Sequence, residues 1–171
     1  MVVKLVKNQN SILQKILNFI KKHYISIAIS FFGVFIVALL GSLFVDSNSA
    51  WFNSLVLPSF YPPSILFSIV WSIIYILMAI SLYFVLKKGI SKNQIILYAV
   101  NGFLNILWTL VFFRFNSLIF SVIILVMLII FAYFLLKSLY ETNKVSFYLT
   151  LPYFIWLFFA FLLNYSIYFL N

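Results

Sequence analysis

Long apolar runs separated by short polar ones divide this chain, and one stretch sets the frame for the rest. Leu57 to Lys88 reads LPSFYPPSILFSIVWSIIYILMAISLYFVLKK, with three prolines near its start and no charge before Lys87. Each proline fixes φ, removes a backbone donor and pushes the residue ahead of it out of the α region, so residues 57–61 read as an ordered extended loop. Proline is tolerated in the first turn of a helix, which places a helix start near Pro63. From Ser64 to Leu86 the run is long enough, at about 1.5 Å per residue, to cross a hydrocarbon core about 30 Å thick.

The same pattern predicts spans at about 25–45, 95–113, 118–136 and 147–170 beside the one at about 64–86. The expected architecture is therefore all-α: a polytopic membrane protein, a bundle of five transmembrane helices over residues 25–171. The first apolar run is too long for the roughly 7 to 15 residues of a signal-peptide core, so it is expected to be retained. Residues 1–24 interleave Lys4, Lys7, Lys15, Lys21, Lys22 and His23 with Ile12, Leu13, Ile16, Leu17 and Ile20. That pattern suits a basic amphipathic helix on an anionic membrane surface, and equally a tail whose lysines only obey topology. Between the first two spans lies a long loop, Asp46 to Pro62, carrying Trp51, Phe52, Phe60 and Tyr61.

Composition removes the soluble classes: 66% of residues are hydrophobic and 8% charged, against about a quarter charged in an ordinary soluble domain. A net charge of +9 would suit nucleic acid, but its placement does not. Lys4, Lys7, Lys15, Lys21, Lys22, Lys87, Lys88, Lys92, Lys137 and Lys144 fall on one side of the five spans, and Arg114 alone falls on the other. Lys and Arg stay cytoplasmic. The expectation is an N-terminus in the cytoplasm of a bacterium, the protein in its plasma membrane, and the aromatic loop and C-terminus outside. No nucleic-acid partner is expected.

Chemistry inside the spans is sparse. Neither Asp46 nor Glu141 lies in a span, which argues against a pump driven by protons or sodium. The chain has no cysteine, and its one histidine, His23, lies in the basic segment. A thiolate nucleophile, a metal site and a histidine-ligated haem within the bundle are therefore not expected, and no cofactor is obligatory. What remains is neutral polarity and tryptophan. Asn101, Asn105, Trp108 and Phe112 share one helical face, Trp71, Tyr75 and Met78 another, and Pro152, Trp156, Ala160 and Asn164 a third. Such stripes serve either as hydrogen-bonding glue and interfacial belts, or as the wall of a pocket for a large flat apolar ligand. Trp51, Phe52 and Pro62 from the long loop would close that pocket.

Four ordered segments carry a family resemblance: WFNSLVLPSFYPP from Trp51, VWSIIYILMAISLY from Val70, NGFLNILWTLVFF from Asn101 and PYFIWLFFAFLLNY from Pro152. Together they resemble the translocator protein family, the tryptophan-rich sensory proteins also called peripheral benzodiazepine receptors. The resemblance implies a five-helix bundle, often a homodimer, that binds tetrapyrroles such as protoporphyrin IX, sterols and synthetic isoquinoline or benzodiazepine-type ligands. It implies that Trp71 and Trp156 line the pocket and are candidates for light-dependent porphyrin breakdown, with Asn105, Trp108 and Ala160 beside the ligand. Phe60 and Phe52 stand where many members have Trp and Tyr. Tyr165 is followed by SIYFLN without Arg or Lys, so the sterol-linked pattern is incomplete and sterol is a weak candidate. The leading expectation is a receptor or sensor for porphyrin-like ligands that needs no iron. An enzyme degrading porphyrin in light, without any general acid, base or nucleophile legible, and a facilitator of porphyrin transport are the alternatives.

Overall fold

A computed structural model gives the fold; it describes the backbone of residues 2–171 and, before His23, the side chains of Gln14 and Lys21 alone. Six helices follow in order: α1 (Val2–Phe44), α2 (Ala50–Ser54), α3 (Ser64–Lys88), α4 (Lys92–Phe113), α5 (Leu118–Thr142) and α6 (Lys144–Leu170). Five of them, with α1 counted from His23, are long and apolar enough to cross a membrane. The chain is an all-helical, five-span integral membrane protein.

Local chemistry sets the helix ends. Pro63 caps α3, its carbonyl accepting from Leu66 N–H at 2.9 Å. Gly89 ends α3 at φ +100°, in the left-handed region that favours glycine. Ser91 and Gln94 form a reciprocal capping box, which starts α4 at Lys92, three residues ahead of the apolar run. Asn143 ends α5 and caps α6 at once: its N–H reaches the Leu139 carbonyl at 2.7 Å, and its Oδ1 accepts from Ser146 N–H. Residues 137–146, polar in sequence, are thus helical on both sides of a single break. Hydrophobicity marks where the bilayer ends, while caps mark where the helix ends. The pattern also did not show α2, a single turn capped by the Ser49 hydroxyl.

At the N-terminal end, α1 runs unbroken over 43 residues into the first span. The amphipathic face expected for residues 1–24 lies, apart from Gln14, Lys21, His23 and Tyr24, outside the described side chains.

Around the bundle the neighbours run α1, α3, α6, α5, α4 and back to α1. α5 supplies the densest packing, with Leu125, Leu128, Ala132, Leu135 and Leu139 fully buried against α4 and α6. At Gly102 the backbone of α4 meets α1 so closely that a Cβ would stand 2.9 Å from Val37 Cγ2. Far from the aromatic loop, a buried polar knot ties three helices. The Ser81 hydroxyl lies 2.8 Å from both Tyr98 OH and Thr150 Oγ1, and donates to the Ser146 carbonyl. With that end sealed, open space is left at the end that carries α2.

Candidate functional site: an uncharged aromatic cavity

A cavity of about 600 Å³ opens in the α2 half of the bundle, within the usual size of a small-molecule site. α1, α3, α4 and α6 line it, with Tyr61 and Ser47 from the long loop. No wall residue is charged.

α3 presents two parallel rows because a helix repeats at i and i+4: Phe67, Trp71 and Tyr75, and beside them Ser64, Ser68 and Ser72. The serines are exposed and the aromatics half-buried. The aromatic row continues onto α4. Trp71 stacks on Tyr75 with ring centroids 5.5 Å apart and planes 29° apart. On its other side Trp71 meets Trp108 at 6.2 Å and 32°, and Trp108 meets Phe112 at 6.4 Å and 34°. Four rings in succession, each tilted about 30° to the next, thus form one aromatic wall, a surface that can pack against a flat ligand.

Hydrogen bonds hold these rings in place. Trp108 Nε1 donates to Asn164 Oδ1 at 2.8 Å, and Asn164 Nδ2 donates to Ser121 Oγ at 2.9 Å, which joins α4, α6 and α5. Tyr75 OH donates to Asn105 Oδ1 at 3.0 Å. Asn105 Nδ2 is buried with no hydrogen-bond partner among the described residues. Opposite, Gly41 of α1 leaves room beside Tyr75 OH and Thr109 Oγ1, each 3.8 Å from where its Cβ would stand. In the loop, burial pushes the Tyr61 phenol above its ordinary pKa, so it stays a neutral donor in physiological conditions.

Trp71, Tyr75, Asn105, Trp108, Ala160 and Asn164, all expected from the sequence, come together in the wall. The other five expected residues are not part of it. Trp51 sets its ring edge on Phe112 at 5.4 Å, and Phe52 is buried in the same cluster, so both buttress the wall from the loop. Pro62 follows Tyr61 in the extended segment but is not part of the wall. Asn101 Nδ2 donates to the Leu97 carbonyl at 2.8 Å and its Oδ1 accepts from Tyr153 OH at 3.3 Å, tying α4 to α6. Trp156 packs edge-on against Phe67 at 5.9 Å, one ring removed from the cavity, and its buried Nε1 has no partner among the described residues. The face of α1, with Phe35, Leu39 and Ser42, was not read from the sequence, because a near-uniform apolar run carries no stripe. Ser64, Ser68 and Ser72 were not read from the sequence either, although their i, i+4 spacing beside Phe67, Trp71 and Tyr75 is a signal that could have found them.

Comparison with known proteins agrees with this architecture. A family model described as TspO/MBR matches residues 28–170. The chain is 34% identical over 140 residues to the tryptophan-rich protein TspO of Chlorobaculum tepidum, an alignment covering 79% of this chain and 89% of that one. It is 34% identical over 135 residues to protein CrtK of Rhodobacter capsulatus, covering 77% and 83%. With the tryptophan-rich protein TspO of Archaeoglobus fulgidus it shares 32% over 146 residues, covering 83% and 94%.

Proposed function

The chain belongs to the TspO/MBR family, and on that premise we propose that it is a membrane receptor for tetrapyrroles, of the protoporphyrin IX type, and for related flat apolar molecules. The observation that carries the reading is the continuous row of Tyr75, Trp71, Trp108 and Phe112 rings along an uncharged cavity of about 600 Å³. A macrocycle lying on this wall exchanges water or lipid contact for ring stacking, and the neutral Asn105, Thr109 and serine groups meet its polar atoms. With no histidine in the wall, binding does not draw on a histidine ligand to iron.

Titration with metal-free protoporphyrin in darkness tests this through quenching of tryptophan fluorescence. Saturable quenching is expected from the wild type, and a Trp71→Ala, Trp108→Ala double variant is expected to bind roughly 5- to 100-fold more weakly, given about 0.5 to 1.5 kcal/mol for each of the two stacked pairs lost. Equal affinity in the double variant would remove the cavity from consideration.

The same reading orients the chain with Lys87, Lys88, Lys92, Lys137 and Lys144 in the cytoplasm and the cavity end outside. Labelling of a cysteine introduced at Asn48, in the loop, by a membrane-impermeant thiol reagent applied to intact cells is the corresponding check; protection of Asn48→Cys from that reagent would reverse the orientation.

A further inference from the structure

We propose that Arg114 recognises an anion at the rim of the cavity, taking a carboxylate of the ligand held there; this rests on the tetrapyrrole reading above. The wall has no charged side chain, and an ionised carboxylate buried without a countercharge is costly. A flat ligand with acidic groups must therefore keep its acidic edge at the rim.

Three placements put Arg114 there. It follows Phe113, which lines the cavity, and its partner Asp46 sits between the lining residues Val45 and Ser47. Its Nη1 lies 3.4 Å from Asp46 Oδ2, and its Nη2 donates to the Leu43 carbonyl at 3.3 Å. The two side chains remain 47% and 37% exposed. Among the described residues it is the one Lys or Arg at this end, since Lys21 precedes the first span and Lys87, Lys88, Lys92, Lys137 and Lys144 all lie at the opposite ends of α3 to α6.

The present contacts are long and single, whereas a guanidinium offers five donors in a fork that fits a carboxylate bidentately. Exposed pairs of this sort contribute little to stability. Asp46 can thus yield the guanidinium to a ligand carboxylate at small cost, and while paired it competes with one.

The test uses the full chain in a nonionic detergent, which supplies neither phosphate nor carboxylate. Protoporphyrin IX and its dimethyl ester share a macrocycle and differ in their ionised acids. Arg114→Met is expected to weaken diacid binding about 3- to 10-fold, a ratio set by a partly screened charge-assisted bond, and to leave ester binding within about twofold. Asp46→Asn frees the guanidinium and is expected to tighten diacid binding without moving the ester, an outcome that a folding defect cannot mimic. Equal losses for both ligands in Arg114→Met, or diacid binding unmoved or weakened in Asp46→Asn, overturn the proposal. Ester binding by the wild type without any preference for the diacid overturns it while sparing the cavity reading. Failure of both ligands to bind overturns both.

Discussion

Trp108 of α4 and Asn164 of α6 are joined at 2.8 Å, indole N–H to amide oxygen, and both side chains line the cavity. The bond fixes the plane of the central ring of the aromatic row. It also occupies the polar groups of both residues, because Asn164 Nδ2 is held by Ser121. Asn164 therefore acts on a ligand through Trp108.

Asn164→Leu should leave the Trp108 N–H without its partner, while the Ser121 hydroxyl keeps its bond to the Leu118 carbonyl. Interhelical hydrogen bonds in membranes contribute roughly 0.6 kcal/mol on average and up to about 1.7 kcal/mol, so a modest loss of thermal stability in detergent is expected. The loss of ring orientation should weaken porphyrin binding more than Asn101→Leu does, since Asn101 ties the same two helices behind the wall. Fluorescence titration of the two variants side by side checks this; equal weakening would mean that helix tying alone matters.

Trp156 shows where sequence periodicity stops being informative. It shares a face of α6 with Ala160 and Asn164, and both of those reach the cavity, but Phe67 of α3 stands in front of its ring. Trp156→Phe should therefore keep porphyrin affinity within about twofold, while Trp71→Phe lowers it severalfold. If illumination bleaches bound porphyrin, the ring in the wall, Trp71, is the one whose replacement should slow it. Bleaching that depends on Trp156 and not on Trp71 would show that contact with the cavity is not what selects the reacting indole.

Spans, loop and the Trp71, Tyr75, Asn105, Trp108 wall were legible because a lipid-facing helix leaves its few polar and flat side chains as a visible stripe. The contribution of α1 was not. Its cavity face is Phe35, Leu39 and Gly41 in a run of similar apolar residues, so only contact with α3 and α4 distinguishes that face from the lipid side. Helix ends were misplaced by a few residues for a related reason. Ser91 with Gln94, and Asn143, extend helices beyond the hydrocarbon by capping, which hydropathy does not register.

Gly102 gives a test of how α1 is held. Alanine there puts a methyl 2.9 Å from Val37 Cγ2, and neither valine, stiff at χ1, nor the helix backbone can yield freely. Overpacking of this kind costs about 1 to 3 kcal/mol. Gly102→Ala should lower thermal stability in detergent, and Val37→Ala in the same chain should restore much of it. A double-mutant cycle with no coupling would mean that α1 shifts to absorb the methyl.

The long loop is fastened to the far end of α6 by one side chain. Asn171 Oδ1 accepts from Val56 N–H at 2.9 Å, its Nδ2 donates back to the Val56 carbonyl at 3.1 Å, and the same Nδ2 reaches the Ile167 carbonyl at 2.8 Å. The amide thus pairs with the loop as a neighbouring strand would, and Ile167 is itself a wall residue. Downstream of Val56 the loop runs through Tyr61 to α3, and upstream it carries the Trp51 and Phe52 buttress against Phe112. Releasing Val56 should loosen both flanks without touching the aromatic row. Asn171→Ala is therefore expected to speed ligand dissociation about two- to tenfold, the factor corresponding to loss of roughly 0.5 to 1.5 kcal/mol of net hydrogen bonding, with a smaller change in the association rate. Stopped-flow displacement of bound porphyrin separates the two rates. Unchanged dissociation would show that the Trp51 and Phe52 packing, and not the Asn171 clamp, keeps the loop over the cavity.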